Sequence, residues 1–161
     1  MASSASSPTT RENCRPKEPS PNFKSTEEFY RYLEKSKPTQ LMVINFTTEW
    51  CEPCKQADEF FKNLPHEYED VKFAKVDVDV LMNIAEALGV TMMPTFLLVK
   101  VKKEKEHVKK DDMQGDHKEK KEPPILNKRY KMVKLDHVVG WNKKKEEELR
   151  GLIRKHRHTT T

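Results

Sequence analysis

The most informative stretch of this chain reads Trp50-Cys51-Glu52-Pro53-Cys54-Lys55. Two thiols two residues apart, directly after an apolar run and at the start of a helical pattern, can close a small disulfide and reopen it. The placement also favours a thiolate at Cys51, because unpaired N–H groups and the helix dipole stabilise negative charge at a helix N-terminus. Pro53 suits the first turn, where the N–H that it lacks would have had no intrahelical partner.

Alternating helical and strand patterns surround this stretch. Residues 41–46 form an apolar run that only Asn45 interrupts, and such a run predicts a strand buried on both faces. Ser25 and Glu28 match a helix capping box, and Asn142 can cap a last helix. The patterns predict the order helix, strand, helix, strand, helix, strand, strand, helix over residues 26–37, 41–46, 51–65, 71–77, 80–88, 95–99, 130–139 and 143–154.

Composition limits the classes of protein to which the chain can belong. It has 161 residues, of which 35% are hydrophobic and 35% are charged, with a net charge of +5. The size suits one domain, and the high charge predicts that part of the chain stays solvated. No apolar run reaches the roughly 18 residues that span a bilayer, and three cysteines exclude a disulfide scaffold. We expect no membrane or nucleic-acid partner, because the charges are mixed in sign.

Three segments are expected to lie outside the folded core. Residues 1–22 are rich in Ser, Pro and Thr and predict a disordered arm, in which Cys14 is an exposed thiol. Residues from about 101 to 129 are crowded with Lys and Glu and predict a charged insertion, read as a solvated loop rather than a basic surface for phosphate polymers or an acidic partner. The folded domain is predicted over residues 23–158, followed by a tail at 159–161.

The N-terminus and the histidines also bear on function. The first residues lack the apolar core of a secretory signal, which predicts a cytoplasmic protein; the Ser-rich start leaves organelle import as the alternative. No histidine pair has metal-ligand spacing with the cysteines, so no metal site is expected. His156 and His158 are interpreted as solvated tail residues.

The element order and several separate motifs resemble the thioredoxin family, most closely the cytosolic h-type thioredoxins of plants. The motifs that carry the resemblance are Trp50–Lys55, Val76-Asp77-Val78-Asp79, Ile84-Ala85, Val90, Met93-Pro94-Thr95-Phe96 and Val138-Val139-Gly140. The similarity covers roughly residues 23–100 and 130–156. It implies an α/β thioredoxin fold, with a central mixed β-sheet flanked by helices on both faces.

The resemblance implies a protein-disulfide reductase that works by dithiol–disulfide exchange. Cys51 and Cys54 would be the catalytic residues and form the redox-active disulfide, with Cys51 attacking the substrate and Cys54 resolving the mixed disulfide. Pro53 before the second cysteine, rather than histidine, resembles the reducing members. Electrons would come from an NADPH-dependent thioredoxin reductase, with no cofactor bound, and the protein would be a monomer that acts in cell redox homeostasis.

The family relationship also implies a site around the two cysteines. Pro94 should be a cis proline beside the disulfide, and the backbone of Met93 should bind an extended segment of the substrate. The expected apolar rim for the substrate protein consists of Trp50, Met93, Val139 and Gly140. The residues expected to modulate the cysteines are Trp50, Glu52, Pro53, Asn45 and Pro94.

Two departures from the family pattern lead to specific expectations. Asn45 stands where the family has a buried aspartate, and an amide cannot accept a proton at neutral pH, so we expect slower resolution by Cys54. Lys75 would then lack its family partner and is expected to be exposed. Glu52 replaces the usual glycine; its charge disfavours a thiolate at Cys51, while its place in the first helical turn favours the helix.

One other function remains open at this stage, and a second is rejected. The first is a non-enzymatic interaction module that keeps the thioredoxin fold, with its specificity in the charged insertion; Asn45 favours this hypothesis, and the presence of both Cys51 and Cys54 opposes it. The second is an oxidase or isomerase of the secretory pathway, which the missing signal and Pro53 oppose. The insertion should join the last two strands at the end opposite the disulfide, extending their hairpin through Val101 and Met132.

Overall fold

A computed structural model describes residues 20–103 and 130–158 of the chain. Its helices and strands follow the predicted order: α1 Thr26–Glu34, β1 Leu41–Thr47, α2 Glu52–Glu67, β2 Lys72–Asp77, α3 Met82–Ala87, β3 Thr95–Lys103, β4 Tyr130–Val139 and α4 Lys143–Arg157. Cys14, most of the predicted arm, residues 104–129 of the predicted insertion and the tail at 159–161 lie outside the described residues.

The four strands form one mixed sheet in the order β2-β1-β3-β4. β1 pairs with β2 in parallel and with β3 antiparallel, and β3 pairs antiparallel with β4. All seven residues of β1 are buried, as expected for a central strand covered on both faces. The predicted fold class is confirmed.

The strands divide their side chains between two hydrophobic cores. Met42, Ile44 and Phe46 of β1 pack in a core with side chains from α1 and α3. Leu41 and Val43 point to the opposite face and pack with side chains from α2 and α4. Because alternate residues of a strand face opposite sides, Asn45 belongs to the α2/α4 face.

The helix caps follow the predicted chemistry, while some helix ends differ. The Ser25 Oγ accepts a hydrogen bond from Glu28 N at 3.2 Å, and Asn142 Oδ1 accepts one from Lys145 N at 3.0 Å. The first helix ends at Glu34 rather than at residue 37, and α2 continues past Pro65 to Glu67. None of the described helices is both long and apolar enough to cross a membrane.

The last helix corrects the interpretation of His156 as a solvated residue. α4 extends to Arg157 and includes His156, whose side chain is only 14% exposed. Its Nε2 lies 3.3 Å from Oδ2 of Asp136 in β4. His158 is exposed, as expected.

The β3–β4 hairpin reaches two residues beyond the predicted extension through Val101. β3 runs from Thr95 to Lys103, past the apolar run that ends at Val99. Val101 pairs with Met132, as predicted, and Lys103 pairs with Tyr130. Lys103 ends β3 and Tyr130 begins β4, so both lie at the end of the sheet opposite Pro94, which precedes β3.

The N-terminal end of the described chain lies against β2. Lys75 N donates a hydrogen bond to Pro21 O at 3.2 Å, and Asn22 forms a parallel β-bridge with Lys75. The contact lies just before residue 23, where the folded domain was predicted to start.

Candidate active site

Cys51 and Cys54 form a disulfide at the N-terminus of α2, with their Cα atoms 5.2 Å apart. Cys51 is the N-cap residue: its backbone is extended, and its Sγ accepts a hydrogen bond from Cys54 N at 3.3 Å. Pro53 occupies the first turn, where no intrahelical acceptor is needed. The local sequence therefore places the first sulfur where backbone N–H groups stabilise negative charge.

The two sulfurs differ in accessibility. Cys54 is 1% exposed and lies on the buried side of α2, whereas Cys51 is half-buried. Trp50, directly before Cys51, is 88% exposed. An incoming group can therefore reach Cys51 from solvent, while Cys54 faces the interior.

The loop before β3 completes the surroundings of Cys51. The Met93–Pro94 bond is cis, as the resemblance implied, and Met93 O lies 3.7 Å from Cys51 Sγ. Gly140, with a φ of 79° that favours glycine, donates from its N to Pro94 O at 2.8 Å. Val139 pairs with Thr95 at the start of β3. All four expected rim residues thus lie at the disulfide end of the sheet.

Below the disulfide lies a polar cluster of Asn45, Asp58 and Lys75. Asn45 Nδ2 donates to Asp58 Oδ1 at 2.9 Å, and the Lys75 ammonium forms an ion pair with Asp58 Oδ2. The expectation that Lys75 is exposed and has lost its acidic partner is wrong, because α2 supplies a carboxylate in place of β1. The slow resolution expected from Asn45 stays a prediction.

The chemistry of Asp58 fixes the orientation of the Asn45 amide. A carboxylate only accepts hydrogen bonds, so the amide NH₂ must face Asp58 and the amide oxygen must face elsewhere. Asn45 is fully buried, and its Oδ1 has no hydrogen-bond partner within the part of the chain that the structure describes.

Glu52 lies on the surface beside the disulfide. Its Oε2 is 3.0 Å from Lys55 Nζ, and both side chains are largely exposed. The negative charge that replaces the usual glycine is therefore matched by a neighbouring positive charge and screened by water.

Sequence reasoning missed Asp58, although the helical pattern contained a signal for it. Cys54, Ala57, Phe61 and Leu64 form the buried stripe of α2. Asp58 stands at the i+4 position from Cys54, beside this stripe, where an acidic residue needs a polar partner. No group of three or more potential metal ligands occurs among residues 20–103 and 130–158.

Comparison with known proteins gives a consistent family. The thioredoxin family model matches residues 21–122. The chain is 41% identical over 83 residues to Thioredoxin H2-2 of Oryza sativa subsp. japonica, a match that covers 50% of this chain but only 62%, less than two thirds, of that protein. It is 36% identical over 96 residues to Thioredoxin H2 of Arabidopsis thaliana, covering 57% of this chain and 72% of that protein.

Solved structures agree with this relationship. The crystal structure of thioredoxin NaTrxh from Nicotiana alata is similar with a TM-score of 0.62 and 29% identity, covering 88% of this chain and 96% of that one. The structure of Trichomonas vaginalis thioredoxin gives a TM-score of 0.58 at 25% identity, covering 85% and 96%. With the fold, the cysteine pair and the family match in agreement, the chain belongs to the thioredoxin family.

Proposed function

We propose that this protein reduces disulfides in other proteins by dithiol–disulfide exchange at Cys51 and Cys54. The observation that carries the proposal is the Cys51–Cys54 disulfide at the N-terminus of α2, with one sulfur accessible and the other buried. The names of the h-type relatives support the same function. A pair held close enough to join needs no rearrangement of the fold to exchange two electrons.

The reaction proceeds in two exchanges. The Cys51 thiolate attacks one sulfur of the substrate disulfide; a mixed disulfide forms, and the other substrate sulfur leaves as a thiolate. Cys54 then attacks Cys51 Sγ, which closes the Cys51–Cys54 bond and releases the second substrate sulfur. The Cys54 N–H, 3.3 Å from Cys51 Sγ, is placed to donate a hydrogen bond to the thiolate before the first attack.

The surface around Cys51 is the proposed substrate site. Trp50, Met93, Val139 and Gly140 form the rim, and the backbone of Met93 binds an extended substrate segment as an added strand. Met93 O, 3.7 Å from Cys51 Sγ, places that backbone next to the reacting sulfur. The proposed partners are protein disulfides and an NADPH-dependent thioredoxin reductase, which returns electrons to a monomeric, cytoplasmic protein without a bound cofactor.

Reduction of insulin disulfides with dithiothreitol as the electron donor tests this function. Turbidity from the released insulin B chain should rise faster with the protein than with dithiothreitol alone. Cys51→Ser should remove the acceleration, because the remaining thiol of the pair, Cys54, is buried, and Cys54→Ser should stall as a mixed disulfide. The matched control is Cys14→Ser, which removes the third cysteine and should leave the trace unchanged. Equal traces for all variants would instead favour a non-enzymatic interaction module.

A further inference from the structure

We propose that Asp58 accepts the proton of the Cys54 thiol, directly or through one water molecule, when Cys54 resolves the mixed disulfide. This inference rests on the proposed function and adds a residue to it. If it holds, Asn45 does not slow resolution, because the carboxylate that acts on Cys54 comes from α2 instead of β1.

Helix geometry brings Asp58 next to Cys54. Both residues lie in α2, four positions apart, and residues at this spacing share one face with Cβ atoms about 5–6 Å apart. That face packs against the sheet, since Cys54, Ala57 and Phe61 are all buried. Asp58 is therefore the carboxylate one helical turn below the resolving sulfur.

Two side chains from the sheet hold the Asp58 carboxylate on this face. Asn45 of β1 donates to one carboxylate oxygen at 2.9 Å, and Lys75 of β2 pairs with the other. β1 and β2 are paired at this level, with Asn45 opposite Lys75, so both donors reach Asp58 from adjacent strands. The side chains of Asp58 and Lys75 are 20% and 28% exposed, which leaves a route for the proton from the cluster to solvent.

The other charged groups on the elements around Asp58 have different partners or are exposed to solvent. On α2, Glu52 and Lys55 pair with each other at the surface, and Glu59 is exposed. On β2, Asp77 accepts a hydrogen bond from Asp79 N at 2.9 Å.

More distant charges complete the surroundings. Lys100 of β3 lies opposite Leu41, four residues along β1 from Asn45. Arg150 of α4 pairs with Glu67, near the other end of α2. Lys75 is thus the charged partner that the structure gives Asp58 from the sheet.

The buried environment makes a base useful for the second exchange. A thiol out of contact with water forms a thiolate unfavourably, so the proton must leave as the new bond forms. In this step the S–S bond between Cys51 and the substrate breaks and the Cys51–Cys54 bond forms. The electron pair leaves with the substrate sulfur, and the Cys54 proton moves to Asp58, which later returns it to solvent.

The test is the pH dependence of resolution alone. Reduced protein in a Cys14→Ser background is mixed with dithiobis(nitrobenzoate), and stopped-flow absorbance follows two releases of thionitrobenzoate. The first release reports attack by Cys51, and the second reports resolution by Cys54. The variants are Asp58→Asn, the control Glu59→Gln on the exposed side of the same helix, and the exchange Asn45→Asp/Asp58→Asn, which returns a carboxylate to the cluster.

If Asp58 accepts the proton, the rate of the second release should depend on pH less steeply in the wild type than in Asp58→Asn. Between about pH 6 and pH 8, the second rate of the wild type and of Glu59→Gln should rise by about threefold or less per pH unit, because the thiol reacts as its proton is taken. In Asp58→Asn the rate should fall and rise about tenfold per pH unit, because only preformed thiolate reacts. The exchange variant should regain the shallow slope.

The outcomes separate this inference from the proposed function. If Asp58→Asn keeps the wild-type slope, or if the exchange variant folds but stays steep, Asp58 is not the proton acceptor. A purely structural role would lower the rate equally at every pH and would also overturn the inference. If the wild type itself shows no second release that depends on Cys54, the proposed reductase function fails instead.

Discussion

The two faces of the sheet are built from the same strands, yet their side chains differ in chemistry. On the α1/α3 face, β1 contributes only apolar side chains, Met42, Ile44 and Phe46. On the α2/α4 face it contributes Leu41 and Val43 and then the buried polar residues Asn45 and Thr47, and Asn45 donates a hydrogen bond to Asp58 of α2. The difference indicates that the α1/α3 face mainly stabilises the fold. The α2/α4 face instead carries polar groups at positions that apolar side chains could occupy, near the two cysteines.

The largest expected effect tests the apolar face. Phe46→Ala removes a ring with no exposed surface and should lower the free energy of unfolding by about 3–5 kcal/mol, because a cavity remains. Urea unfolding measures this loss. The exposed Val80→Ala serves as the control and should change stability by less than about 0.5 kcal/mol. Resolution by Cys54 in the folded fraction of Phe46→Ala should keep its shallow pH slope; a steep slope would mean that the faces are not separable.

A smaller loss of stability is expected on the polar face from Lys75→Met. The change leaves the partly buried Asp58 carboxylate without its ion-pair partner and should cost about 1–3 kcal/mol in urea unfolding. The same variant should also alter the second thionitrobenzoate release. A variant as stable as the wild type would show that the pair contributes nothing net.

Lys72→Met is the matched change on the opposite face, and it tests how the stability of that face depends on pH. The Lys72 ammonium lies 4.0 Å from the centre of the Tyr32 ring and 3.1 Å from Ser36 Oγ. Burial, and secondarily the charge of Lys35, lower the pKa of Lys72 below 10.5. The folded state then binds fewer protons than the unfolded state between the lowered value and 10.5, so wild-type stability should gain over Lys72→Met as pH rises through that window.

Urea unfolding of wild type and Lys72→Met at about pH 7 and about pH 10 measures this difference. The free energy of unfolding of the wild type should rise relative to that of the variant at the higher pH, because part of the cost of holding a partly buried charge is removed there. Parallel changes in the two proteins would show that the charge of Lys72 carries no such cost.

The smallest effect is expected at Glu52, outside both faces. Because Glu52 is exposed and paired with Lys55, Glu52→Gly should change the rate at which iodoacetamide alkylates reduced Cys51 by less than about threefold. The measurement uses the Cys14→Ser background, with Glu52→Gln to separate charge from backbone freedom. A change of about tenfold or more would show that Glu52 sets the reactivity of Cys51.

The sequence predicted the fold well where local patterns decide it. The apolar run of β1, the Ser25 and Asn142 caps and the cysteine pair at the start of α2 are local signals. The last two residues of β3 lie beyond the predicted extension through Val101, because Lys102 and Lys103 suggest a solvated segment. Pairing with β4 determines the actual end, where Lys103 lies opposite Tyr130.

The candidate site was predicted only in part, for the same physical reason. Cys51 and Cys54 are neighbours along the chain, and the positions around Pro94 follow from the family pattern. The contact of Lys75 with Asp58 joins a strand to a helix 17 residues away. The family pattern indicates the missing acid at residue 45, whereas the position of Asp58 beside the buried stripe of α2 was the local signal for a carboxylate there.

The length of the β3–β4 hairpin separates two ends of the molecule. From Thr95 to Lys103 the strand is nine residues long, a span of about 30 Å at roughly 3.3 Å per residue. Lys103 and Tyr130 therefore lie at the end of the sheet opposite the sulfur pair. An affinity handle joined to the chain at Lys103 would have its attachment point about the length of this strand away from Cys51, and under the proposed function the bead-bound protein would capture oxidised protein substrates.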